Sequence, residues 1–187
     1  MALRHPDDED DQKARKRRSD RFAKSVLEIP TTPILRNYGI GHQLKKTLEE
    51  LDELLEEIKQ SARWWRDGKT KLTGKRRAAL LTECADVAVM CSQILRLYQV
   101  VWPAPAKLSA LLVLRVRDEA LGLKKDIVRF EKDRRVPTAF FMLMQAVRLG
   151  VALTDKDAFQ AEVNFKIERQ LARIEDERIE REAKRMA

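Results

Sequence analysis

Leu44, Leu48, Leu51, Leu55 and Ile58 recur at spacings of four, three, four and three, the stripe of a helix that buries one face. That period predicts a first helix from about His42 to Arg66. The segment GKTKLTG from Gly68 to Gly74 reads as a loop, and a second helix is predicted from about Lys75 to Val101, stopped by Pro103 and Pro105. A third is predicted over roughly Lys107 to Lys132, with Gly122 as a weak point. Pro137 is placed to open a fourth helix running to Leu149 and ended by Gly150, and Thr154 to cap a fifth that runs nearly to the last residue. No stretch alternates like a strand over a useful length, and there is no internal repeat. The chain reads as all-α.

The second predicted helix poses a question of chemistry. From Ala78 to Leu95 its only charges are Glu83 and Asp86, three residues apart, with apolar residues all round. A helix apolar on every side belongs inside a bundle, and acids are almost never fully buried unless paired or bound to a metal. On the first helix, about 100° of rotation per residue places Lys46, Glu50, Glu53 and Glu57 on one side, away from the leucine stripe. By itself that is an ordinary solvated face. Facing Glu83 and Asp86, Glu50 and Glu53 would complete a four-carboxylate site, which only cations make tolerable. Such an oxygen-rich donor set suits Mg²⁺ or Mn²⁺. The competing explanation is a salt bridge to one of the 38 lysines and arginines.

Charge narrows the partners. The chain has a formal net charge of +8 over 187 residues, so a polyanion, either nucleic acid or a triphosphate, is an expected ligand. Residues 7–11 are acidic and residues 13–24 strongly basic, which reads as a disordered arm with a nucleic-acid contact as its sharper interpretation. The domain reading is therefore an arm over 1–30 and one all-α domain over 31–187. Within it, 42–101 holds the acidic-motif helices, 102–160 extra helices and 161–187 a C-terminal helix. No apolar run approaches the roughly 20 residues that span a bilayer, and the polar N-terminus is no secretory signal, so a cytoplasmic protein without a membrane contact is expected. Cys84 and Cys91 lie about 10 Å apart along a helix axis, too far for a disulfide, and read as small buried hydrophobes. His5 and His42 are isolated. Gly68-Lys69-Thr70 fails as a phosphate-binding loop, because Arg63 stands where that motif needs glycine and a helix, not a strand, precedes it.

Glu49-Glu50-Leu51-Asp52-Glu53 followed by Glu83-Cys84-Ala85-Asp86 resembles the EExxE and ExxD signature of the MazG-like all-α nucleoside triphosphate pyrophosphohydrolases. The resemblance implies a helical bundle of that type. It implies hydrolysis of a nucleoside or deoxynucleoside triphosphate to the monophosphate and pyrophosphate with Mg²⁺ (or Mn²⁺). It makes Glu50, Glu53, Glu83 and Asp86 the metal ligands, with Glu49 as motif partner and Glu50 or Glu53 orienting or deprotonating the attacking water. The family's basic motif is matched best by Asn164, Lys166 and Arg169, with Arg173 a turn further on. Lys132, Arg134 and Arg135 are the rival, and Lys46 is a further phosphate contact. Trp64, Trp65 and Tyr98 are candidates to stack on the base. The resemblance also implies a homo-oligomer, a dimer or tetramer. The alternative class is a basic helical protein, binding nucleic acid or serving structurally, without catalysis.

Overall fold

The computed structural model describes residues 26–66, 72–129 and 131–186. Five helices and a two-stranded sheet form a packed bundle. In chain order they are β1 (Val26–Glu28), α1 (Thr32–Arg66), α2 (Gly74–Leu95), β2 (Gln99–Val101), α3 (Ala110–Val128), α4 (Lys132–Leu153) and α5 (Lys156–Met186). Helices α1, α2, α4 and α3 close a ring in which each packs on the next, and α5 lies against α2, touching α1 and α4 more lightly.

α2 is the axis of the fold. From Cys84 to Ile94 every residue is buried, against α1 on one side and α4 on the other. Each fully buried aliphatic side chain there contributes about 1.5–3 kcal/mol. Contrary to the expectation from the sequence, two helices, Gly74–Leu95 and Asp133–Leu153 of α4, are long and apolar enough by length and composition to cross a bilayer; in this bundle 67% of the apolar window of the first and 44% of the second are buried. Cys84 and Cys91 are free and buried, as small hydrophobes. Thr73 caps α2, its hydroxyl accepting from the Arg76 amide at 3.4 Å. Arg77 donates to the carbonyl of Leu153 at the end of α4.

Several boundaries differ from those the sequence predicts. Ahead of the long helix expected from about His42 lies a helical stretch that the sequence does not predict, which begins at Thr32 with Pro33 in its first turn, where its missing amide is harmless. Gly39, at φ 74° and ψ 164°, is non-helical and marks the kink between that stretch and the long helix, the two together being α1. α2 stops at Leu95, six residues early. Arg96 takes the left-handed conformation there, and Gln99–Val101 peels away as a strand. That strand pairs antiparallel with Val26–Glu28, Leu27 opposite Val100, and the Ile29 amide extends the ladder to the Tyr98 carbonyl at 2.8 Å. The reading of the whole chain as all-α therefore misses a small sheet. Residues 26–30, expected in the arm, are the other half of that correction, since Leu27 and Ile29 are fully buried. Residues 1–25 lie outside the described residues.

α3 starts at Ala110, capped by the Ser109 hydroxyl, and continues through Gly122 unbroken. Pro137 lies inside α4, which opens at Lys132. Gly150 does not end α4: it sits beneath the ring of Phe159, where a Cβ would collide with the aromatic carbons. Asp155 rather than Thr154 caps α5, its carboxylate accepting from the Ala158 amide at 2.8 Å.

The ring of helices leaves a gap between α1 and α3. There an apolar groove of about 710 Å³ is lined by Leu55, Ile58, Ala62, Val113, Leu114 and Leu121, among others. Leu44, Leu48, Ile127 and Val128 extend the α1/α3 seam in a neighbouring cavity.

Candidate metal centre

On α1, Gln43, Lys46, Glu50, Glu53 and Glu57 follow one another at helical spacing, and this edge turns toward α2 and α5. Leu51, Leu54 and Ile58 on the adjacent side are fully buried. The helix therefore has two engaged faces, and its acidic edge is not the solvated face that the period alone suggests. Glu50 and Asp86 are each only 6% exposed, and Glu83 is half-buried. One carboxylate oxygen from each of Glu50, Glu83 and Asp86 lies within 4.8 Å of the others. Glu53, exposed at the rim, is near enough to act electrostatically on both Glu50 and Glu83.

The electrostatics follow from that crowding. Burial, together with the charges of Asp86, Glu53 and Glu50, pushes the Glu83 carboxyl up from 4.5 to about 7, against a smaller opposing pull from Lys166. Burial and the Asp86 charge also hold Glu50 above its ordinary value. Two ammonium groups answer the acids. Lys46 lies 3.0 Å from Glu50 Oε1 and 2.9 Å from Glu49 Oε2. Lys166, itself buried, donates to Asp86. Once all four carboxylates are ionised, two lysines leave two negative charges uncompensated, and Glu83 Oε2 is buried with no hydrogen-bond partner. A buried carboxylate oxygen without a donor is a costly arrangement. An all-oxygen donor set with that deficit fits a hard divalent cation.

α5 reaches this centre through a polar seam with α2. Thr82 donates to Glu162 at 3.2 Å, Lys166 to Asp86, and Gln93 to Gln170 at 3.4 Å. Residue numbers rise together on both sides, so the two helices run parallel and in register.

The structure thus gathers Lys46, Glu50, Glu83, Asp86 and Lys166, with Glu53 beside them. It does not gather the remaining members of the predicted basic motif. Asn164 is exposed and accepts from Gln160 at 2.8 Å, whose amide brackets the Glu28 backbone. Arg169 is exposed on α5 and makes no bond to the cluster. Of the rival motif, Arg134 lies 3.6 Å from Glu131 and Arg135 Nε is buried without a partner, so neither bonds to the acids. The side chains of Lys132, Trp64 and Trp65 lie outside the described residues.

Sequence reasoning missed the cavity beside Lys46. About 130 Å³ is enclosed by Tyr38, His42, Gln43, Lys46, Gln170 and Arg173, with Met90 and Glu177 completing the wall. The Tyr38 and His42 rings stack at 4.9 Å, and the Tyr38 hydroxyl donates to Glu177 at 2.9 Å. The signal was present in the helical period: Gln170 and Arg173 share the face of Lys166, and His42 stands one turn before Lys46. A scan against protein-family models finds no match, and neither curated proteins nor solved structures yield one.

Proposed function

We propose that this protein is a divalent-metal-dependent hydrolase that cleaves a nucleoside or deoxynucleoside triphosphate to the monophosphate and pyrophosphate, in a bundle of the MazG-like type. One observation carries the reading: three carboxylates from two adjacent helices converge on a point inside the protein, and one buried oxygen of Glu83 is left without a donor. Glu50, Glu83 and Asp86 would hold Mg²⁺ or Mn²⁺, with Glu53 closing the exposed side. When bound, the cation supplies charge neutralisation of the triphosphate and activation of water.

The chain's own residues do the rest. Glu53, open to solvent at the rim, is placed to orient a water and take its proton. Lys46 stands between the acids and the neighbouring cavity, where its ammonium would meet a phosphate oxygen. Arg173 offers a second positive charge in that cavity, and the Tyr38–His42 stack offers an aromatic face for a base. Lys166 neutralises Asp86 and so limits how far the acids repel one another.

The second reading is a structural or nucleic-acid-binding protein, and the Lys166–Asp86 ion pair favours it, since it satisfies one acid without metal. Assay of a panel of nucleoside and deoxynucleoside triphosphates with Mg²⁺ or Mn²⁺ separates the two. Pyrophosphate release that is lost in Glu83→Gln, with the helical signal retained, supports the hydrolase. No turnover of any nucleotide and no divalent-cation binding would leave the structural reading.

The quaternary proposal is a second copy of the chain on the α1/α3 groove. Lys59 and Arg117 line it, each paired with an acid of its own helix, Glu56 and Asp118, so both signs of charge stand beside an apolar face that would pair with itself across a two-fold axis.

A further inference from the structure

α4 is apolar on both of its sides, and the bundle covers one. Ala139, Leu143, Ala146, Leu149 and Leu153 are fully buried, on the side that packs on α2 and α3. The other side carries Val136, Phe140 and Phe141, which are 50%, 43% and 54% exposed. Pro137 is exposed beside them, and Met144 and Val151 continue the strip half-buried. Less than half of the apolar window of Asp133–Leu153 is buried. The rings of Phe140 and Phe141 meet edge to face at 6.1 Å, so they leave a contiguous aromatic surface in water, of the kind that marks a docking site.

The charges on this face say what it meets. Between Val136 and Leu153 the chain has one charged residue, Arg148. Arg148 is half-buried and pairs with no acid among the described residues, and its Nε is buried without a partner. Arg134, Phe141 and Arg148 follow one another at intervals of seven, two turns of helix, and so share one line along α4. The Cα atoms of the two arginines stand about 20 Å apart with the aromatic pair between them. The Arg134 side chain meets only Glu131, at 3.6 Å. At the same end, Lys125 and Arg129, in the last turn and at the cap of α3, are exposed and unpaired among the described residues. Asp133 is the exposed acid there, and positive charge outnumbers it.

A second copy of the chain matches this face poorly. No carboxylate lies between Val136 and Leu153 to receive Arg148, and closing the face on itself would bury two unpaired guanidinium groups. A lipid surface receives both kinds of side chain. Phenylalanines enter the boundary of the acyl region, while arginines extend along it to phosphate oxygens. We propose that the outer face of α4 docks on an anionic lipid surface. The helix lies flat on the lipid and remains part of the bundle, with Phe140, Phe141 and Met144 inserted and Arg134 and Arg148 on the headgroups.

The test is flotation of the full chain, in chelator, with vesicles of equal parts phosphatidylcholine and phosphatidylglycerol and with vesicles of phosphatidylcholine alone. The chain should bind the first and not the second, and binding should weaken as salt is added. Phe140→Ser combined with Phe141→Ser should lower the affinity about tenfold, with the helical circular dichroism retained. Arg148→Gln, which removes charge and little packing, should lower it about fivefold. Arg178→Gln, the same loss of charge on exposed α5, should leave it unchanged. Equal binding to the two kinds of vesicle, or binding to neither, would overturn the proposal. So would anionic-vesicle binding that survives the paired phenylalanine substitution, since charge elsewhere on the chain would then carry it. A changed oligomeric mass in that variant with vesicle binding intact would assign the face to a second copy instead.

Discussion

Lys166 on α5 donates its ammonium proton to Asp86 on α2, and both side chains are almost wholly buried. Eighty residues separate them in sequence. The pair fixes the register of two parallel helices at the point where the acids converge.

Removing one partner of such a pair strands the other. Lys166→Ala should lower stability by about 3–5 kcal/mol in chelator, because Asp86 then faces Glu50 and Glu83 with no counter-charge. Saturating Mn²⁺ or Mg²⁺ should restore a large part of the loss, read as a rise in Tm greater than in the parent. A loss that divalent cations do not relieve would show that the pair is structural only.

Glu83 gives a pH dependence with a definite sign. Its carboxyl titrates near 7 in the folded protein against 4.5 ordinarily, so between those values the folded state holds a proton that the unfolded chain has released. The stability associated with this group is full below about 4.5 and is lost as pH rises through 7. In chelator, the parent should therefore lose more stability between pH 5.5 and pH 8 than Glu83→Gln does, measured by denaturant unfolding. Mg²⁺ should raise the Tm of the parent more at pH 8 than at pH 6, since the proton competes with the cation. Equal slopes for parent and variant would remove Glu83 from the centre.

Gly150 tests the packing of α4 on α5. In an ordinary helix interior, glycine to alanine stabilises by about 1 kcal/mol. Here the added Cβ meets the ring of fully buried Phe159, so Gly150→Ala should destabilise by about 1–3 kcal/mol. Adding Phe159→Leu should recover part of that loss, giving a favourable coupling in the double-mutant cycle. Additive losses would mean that the two residues do not meet.

Leu121 tests the quaternary proposal. It is 50% exposed on α3, facing the apolar groove shared with α1. Leu121→Glu should shift the protein from dimer to monomer in light scattering while its helical circular dichroism is unchanged. A parent that is monomeric at tens of micromolar would dispose of the idea.

Much of the helical framework was legible because it rests on local rules. The stripe from Leu44 to Ile58 and the all-apolar surround of Glu83 and Asp86 each depend on residues within a few turns of one another. What was misread depends on distant partners. Val26–Glu28 becomes a strand only because Gln99–Val101 is beside it. Arg96 ends α2 in a conformation with no glycine to announce it. Gly150 reads as a helix stop until Phe159 supplies the reason for its missing side chain.

The sequence by itself determined that the protein is mostly helical and that α2 is a core helix carrying two acids that demand compensation. Periodicity and the expense of burying charge are enough for both. Only the tertiary structure decided which acids meet and which cations answer them. Lys166 was selected over Asn164 and Arg169 because α5 lies parallel to α2 in one register, and Arg173 and Gln43 came to share a cavity with Lys46 for the same reason. Helix register across eighty residues is set by the packing of whole faces, and no local pattern encodes it.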